Sequence, residues 1–101
     1  MKQYLTNEQT DKLIVLGFEK PSSIASVEPI YGMGGISVAK AYTIGELLSF
    51  LPIKIYIGGI YIDYNGLWRV GYENTVLHQS EFELIDALYF MCVKLKEEGV
   101  L

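Results

Sequence analysis

A chain of 101 residues, half of them hydrophobic and a fifth charged, suits one domain with a single core and needs no metal or disulfide to hold it. The formal net charge of −4 argues against a surface built to neutralise phosphates, so nucleic acid is not an expected partner. One cysteine excludes an intrachain disulfide, Met1-Lys2-Gln3-Tyr4 lacks the apolar run of a signal peptide, and every apolar stretch is broken well short of the ~20 residues of a membrane span, so the expected location is the cytoplasm.

In chain order the first element is a helix of about ten residues. Thr6-Asn7-Glu8-Gln9 has the spacing of a capping box, in which the Thr6 hydroxyl and the Gln9 side chain each satisfy a backbone N–H. Gly17 ends the helix, with Leu13 and Phe18 at the positions whose contact accompanies a Schellman stop, and Pro21 forbids continuation. From Ser22 to Ala41 the pattern predicts a loose hairpin: an extended segment carrying Ile24, Val27 and Ile30, a glycine-rich reversal over Gly32 to Gly35, and a return strand with Ile36 and Val38 on one face.

Thr43-Ile44-Gly45-Glu46 is a second capping box, with Tyr42 and Leu47 placed as a hydrophobic staple, and Pro52 ends the short helix that follows. Ile53, Ile55 and Ile57 then alternate with Lys54 and Tyr56, but Ile60 and Ile62 have the opposite parity. A two-residue turn at Gly58-Gly59 repairs this and makes a three-stranded meander; a bulge in one bent strand also reconciles the parity. The meander is the expectation.

On either side of Asn65-Gly66, Ile60-Tyr61-Ile62-Asp63 and Trp68-Arg69-Val70-Gly71-Tyr72 alternate as two strands of a hairpin. A two-residue turn would set Tyr64 against Leu67 and mix Ile60 and Ile62 with Arg69. A type I turn with Gly66 left-handed in a G1 bulge pairs Asp63 with Leu67 instead and gathers Ile60, Ile62, Trp68, Val70 and Tyr72 on one face. Tyr61, Asp63, Leu67 and Arg69 then share the other, with Lys54 and Tyr56 as possible neighbours. This second register is expected, because a one-residue slip flips every side chain and only this one yields a continuous apolar face.

Ser80-Glu81-Phe82-Glu83 reads as a third capping box opening the longest helix, roughly to Glu98, in which Ile85, Leu88, Cys92 and Leu95 recur at three- and four-residue intervals. Gly99 closes it, with Val100 placed to touch Leu95. The predicted class is therefore α+β: a two-layer domain with antiparallel strands, helices packed on one face, the order α-β-β-α-β-β-β-α, and Trp68 with the long helix at the core's centre.

Tyr42-Thr-Ile-Gly-Glu-Leu-Leu-Ser-Phe-Leu-Pro52, Trp68-Arg-Val-Gly-Tyr-Glu-Asn74, Glu83-Leu-Ile-Asp-Ala-Leu-Tyr89 and Leu95-Lys-Glu-Glu-Gly99 together give the chain a likeness. It resembles a set of uncharacterised proteins of about this length found in bacterial genomes and their mobile elements. The shared motifs are helix starts, a strand and a helix end, so the resemblance implies no activity and no site residues.

The chemistry the residues could carry is sparse. Tyr31-Gly-Met-Gly-Gly-Ile36 lacks the lysine and hydroxyl of a phosphate loop and precedes strand, not helix. His78 is the only histidine, so neither an imidazole pair nor a histidine-based metal cluster is available, and Cys92 lies on the apolar stripe of a helix, where a thiol packs as a small hydrophobe. Glu81, Glu83 and Asp86 are explained by their place near the positive end of a helix dipole. No cofactor, metal or catalytic residue is expected, and an enzyme is the less favoured reading. What remains is Tyr61, Asp63, Leu67 and Arg69 on the outer hairpin face, combining residue types enriched at contact hot spots, which points to a protein partner or a homo-oligomer. The alternative is a small-ligand or enzymatic pocket near Gly32 to Gly35, with tyrosines and His78 as its polar groups.

Overall fold

The computed structural model describes residues 1–30 and 35–101. Helix α1 (Asn7–Val15) starts as its sequence dictates: the Thr6 hydroxyl accepts from Gln9 N–H at 3.2 Å and the Gln9 side chain accepts from Thr6 N–H at 3.0 Å. Two orphan donors of the first turn are thus satisfied reciprocally. At its end Gly17 takes a φ of 99°, which lets Phe18 N–H donate to the Leu13 carbonyl at 3.1 Å and Gly17 N–H to that of Ile14 at 3.0 Å.

Strands β1 (Ile24–Ile30) and β2 (Gly35–Lys40) form a two-stranded antiparallel sheet of their own, irregular between Ile24 and Ser26. This is the expected hairpin. Its reversal, and with it the ligand pocket expected near Gly32 to Gly35, falls on residues 31–34, outside the described residues. The arm is joined to the body at its base, where Glu46 accepts from Ser22 N–H at 3.1 Å and from the Ser23 hydroxyl at 2.8 Å. Glu46 also completes the box that opens helix α2 (Ile44–Phe50), accepting from Thr43 N–H while the Thr43 hydroxyl accepts from Glu46 N–H, both at 3.2 Å. Tyr42 and Leu47, the expected staple, are both fully buried.

The second sheet is a meander in the order β3 (Lys54–Ile55), β4 (Gly58–Tyr64), β5 (Trp68–Tyr72), β6 (His78–Glu81). Its first reversal differs from the expected one. Ile55 pairs with Gly58 and Lys54 with Gly59, so the turn residues are Tyr56 and Ile57, both exposed, and not Gly58-Gly59. Tyr56 bears the left-handed φ of 55°. Gly58 is needed for a different reason: a Cβ there would overlap the Glu73 carbonyl, whose own N–H donates to the Gly59 carbonyl at 3.0 Å. The glycine pair admits a neighbouring backbone and does not turn the chain.

In the next hairpin Tyr64 pairs with Trp68, Asp63 with Arg69, Ile62 with Val70 and Ile60 with Tyr72, around a loop of Asn65, Gly66 and Leu67 with Gly66 at φ 80°. Asp63 therefore does not pair with Leu67. The difference is two residues and not one, so the division of side chains between faces is the expected one, with Leu67 moved from the strand into the loop. The same shift moves Trp68 to the loop end of β5. It is half-buried against Tyr64, with ring centroids 5.0 Å apart, and is not the centre of the core. Val70 and Tyr72 hold that place, at 0% and 1% exposure.

A fourth strand, β6, occupies the start of the third capping box. Ser80 and Glu81 pair with Arg69 and Trp68, and helix α3 (Leu84–Glu97) begins after Glu83, with no side-chain cap. Glu83 instead accepts from Lys2 N–H at 3.0 Å, and the Lys2 ammonium donates to Asp86 at 2.7 Å and to Gln9 at 3.0 Å, fastening the first residues of the chain across the start of α3. Helix α3 lies on β5 and β6, with α2 packed beside it. Ile85, Leu88, Met91, Cys92 and Leu95 are fully buried, and each aliphatic side chain so removed from water contributes about 1.5–3 kcal/mol. Gly99 at φ 77° ends α3, with Val100 N–H donating to the Leu95 carbonyl at 2.9 Å, a second Schellman stop. The architecture is the α+β class expected, with three helices and antiparallel strands in two sheets.

Candidate interaction face

Cross-strand partners share a face, so the register sets two rows of residues on the side of the meander turned away from α3. One row runs Tyr61, Gly71, His78 and the other Asp63, Arg69, Ser80. Each residue is there for a reason legible in its strand: odd positions of β4 and β5 and even positions of β6 point outward once Val70 and Tyr72 point in.

Within these rows the side chains hold one another. The Arg69 guanidinium donates through Nε to Asp63 Oδ1 at 3.1 Å and through Nη2 to Asp63 Oδ2 at 2.6 Å, a bidentate fork. These bonds hold the Asp63 carboxyl below its ordinary pKa and the guanidinium above its own. The same guanidinium lies over the Tyr61 ring, 5.5 Å from its centroid. Tyr61 in turn lies across Gly71, and a Cβ at 71 would meet the ring's hydroxyl at 2.5 Å. Glycine at that position thus makes the seat in which the ring rests.

Of the residues expected on this face, Tyr61, Asp63 and Arg69 are brought together. Leu67 adjoins them from the loop, where with Asn65, Asp63, Arg69 and Ser80 it lines a depression of about 170 Å³. Lys54 pairs with Gly59 and so carries the same outward parity, whereas Tyr56 is in the turn. His78 joins the outer face through its pairing with Gly71 and is exposed. Gly71 and Ser80 went unpredicted as members. The alternation signal that assigned Arg69 outward also assigned Gly71, but Ser80 required knowing that β6 exists.

A second concavity, of about 310 Å³, opens between the Tyr56 turn, the Asn74–Leu77 connection and the end of α3 at Glu98 and Val100. Val76 and Tyr56 on its rim are 87% and 83% exposed, and both Tyr56 and Asn74 hold left-handed φ, of 55° and 60°. His78 lines neither concavity.

Among the described residues no group of three or more histidine, cysteine or acidic side chains is placed to hold a metal, and no helix is long and apolar enough to cross a membrane. Cys92 is fully buried, and that burial pushes its thiol pKa up to about 12, so it is not an activated nucleophile. No family model, curated protein or solved structure matches the chain.

Proposed function

We propose that this chain is a non-enzymatic interaction module, an accessory protein of a bacterial mobile element, which engages a protein partner through the outward face of its meander. The observation that supports this reading is the Tyr61–Arg69–Asp63 cluster. An aromatic ring seated on a glycine, a guanidinium over that ring and a carboxylate fixing the guanidinium are held in one geometry before any partner arrives. A preorganised contact avoids much of the roughly 0.5–1.5 kcal/mol of ordering per side chain that binding otherwise costs. The Nη1 end of the fork stays available to a partner acceptor, since Asp63 engages Nε and Nη2.

The double substitution Tyr61→Ala with Arg69→Ala tests it. Cross-strand pairs on a wet face contribute about 0.2–1 kcal/mol each, so the variant is expected to fold and to melt only a few degrees lower. Affinity capture from the native host followed by mass spectrometry should lose with the variant a partner that the parent retains. Equal capture by both would remove this face from consideration.

The larger concavity favours a second reading, a site for a small ligand with an apolar body, in a different place from the glycine loop. Its volume lies at the lower end of the range for such sites. Val76→Asp should abolish any thermal stabilisation produced by small aryl compounds in a ligand screen.

A further inference from the structure

The backbone of β4 has an edge that the other described residues leave open. Glu73 N–H donates to the Gly59 carbonyl at 3.0 Å, and Tyr72 N–H turns the other way, to the Leu77 carbonyl at 3.0 Å. Odd residues of β4 and β5 therefore face each other, and even residues of β4 face away. Ile60 follows this rule, its N–H donating to the Ile53 carbonyl at 2.9 Å on the far side. The N–H and C=O groups of Ile62 and Tyr64 point to that same side, but β3 pairs only with Gly58 and Gly59 and stops short of them. Among the described residues nothing pairs with this stretch.

An open edge is ordinarily guarded by lysine, proline or a bulge. This one carries only a single charge, Asp63: Ile62 and Tyr64 on either side of it are 39% and 62% exposed, and Trp68, across from Tyr64, is half-buried beside them. The opposite edge of the sheet, β6, is short and polar.

A second copy of the chain fits poorly. Ile53 already occupies the edge at Ile60, so the antiparallel register of two β4 edges that keeps both open residues paired sets Ile62 opposite Tyr64 of the other copy. That register sets Asp63 directly against Asp63, at the closer, non-hydrogen-bonded spacing where like charges destabilise. A foreign strand with a cationic residue at that position instead shares the Asp63 carboxylate with Arg69, each oxygen keeping a lone pair for a second donor, on a chain of net charge −4. We propose that the open edge of β4 accepts an extended segment of another protein, added as a new strand, with Lys or Arg opposite Asp63 and apolar residues on either side of it lying beside Ile62 and Tyr64. This rests on the interaction-module reading and supplies the chemistry of its partner.

Trp68, the only tryptophan, reports on this patch. The probe is a capped Thr-Val-Lys-Val-Thr peptide, titrated to about 1 mM while Trp68 emission is followed. A saturable blue shift is expected, lost when both valines are N-methylated and weakened when glutamate replaces the lysine. Ile62→Pro removes an N–H that the β4–β5 ladder does not use, so the fold should persist, checked by circular dichroism, while affinity falls at least about tenfold, the loss expected for one hydrogen bond. Tyr64→Lys, which places a guard on the edge, should fall likewise and serves if the proline variant does not fold. No shift with the lysine peptide, equal binding by the N-methylated peptide, or unchanged affinity in the folded variant overturns the proposal. A host partner captured equally by Tyr61→Ala with Arg69→Ala but lost with Ile62→Pro would sink the outer-face reading alone. A host partner retained by Ile62→Pro but lost with that double variant would sink only the edge.

Discussion

Gly58 and Gly71 show how much a missing methyl group decides in this protein. A Cβ on Gly58 would run into the Glu73 carbonyl, which is backbone and cannot step aside, whereas a Cβ on Gly71 would meet only the tip of the Tyr61 ring, which can. Gly58→Ala is therefore expected to cost about 2–3 kcal/mol and Gly71→Ala less than about 1 kcal/mol, measured by urea denaturation. The smaller change has the more informative consequence, since it lifts Tyr61 from beneath Arg69 while deleting neither. Cys92 is the other single residue whose surroundings set its behaviour. With no exposure and a thiol pKa of about 12, it should react with a thiol reagent at pH 8 only as fast as the molecule opens, and labelling should accelerate in urea in step with unfolding. Immediate labelling in buffer would place Cys92 at the surface.

At the scale of elements, similar sequence signals met different fates. Thr6 and Thr43 cap their helices through complete boxes, but Ser80, in a segment of the same grammar, sits in β6 opposite Arg69. The competing principle was ladder pairing: β5 offers an open edge to residues 78–81, and α3 begins only after Glu83, without a side-chain cap. Thr6→Ala and Thr43→Ala should each lower stability by about 1 kcal/mol and Ser80→Ala by less than about 0.5 kcal/mol. Equal losses at all three positions would mean that Ser80 caps a helix after all.

On the scale of the whole molecule, the described residues divide into a packed body and the β1–β2 arm, which pairs with itself and is tied in at its base through Glu46. An isolated two-stranded hairpin is marginal in water, so that tie matters. Burial opposes ionisation of the Glu46 carboxyl, but the bonds from Ser22, Ser23 and Thr43 outweigh it and hold the pKa below its ordinary value. A carboxyl depressed on folding adds stability above its unfolded pKa and loses it as pH falls through the folded one. Glu46→Gln should thus cost about 1 kcal/mol near neutral pH. The gap between variant and parent should close as pH drops below the ordinary 4.5, read by urea denaturation at pH 7 and pH 3. A gap that is unchanged at pH 3 would show that the charge on Glu46 does not hold the arm.

What could be read from residue order was whatever depends on near neighbours: two capping boxes, two Schellman stops, the buried stripe of α3, and the parity that sends Tyr61, Asp63 and Arg69 to one side and Val70 and Tyr72 to the other. These follow from dihedral preference and from side-chain periods of 2 and 3.6, which act over a few residues. The pairing partner within a given parity, the role of Gly58, the strand at His78–Glu81 and the displacement of Trp68 from the core were settled only in three dimensions. Parity survives a two-residue slip while position does not, and whether a glycine turns a chain or admits a neighbour depends on a backbone fifteen residues away, in Glu73 beside Gly58.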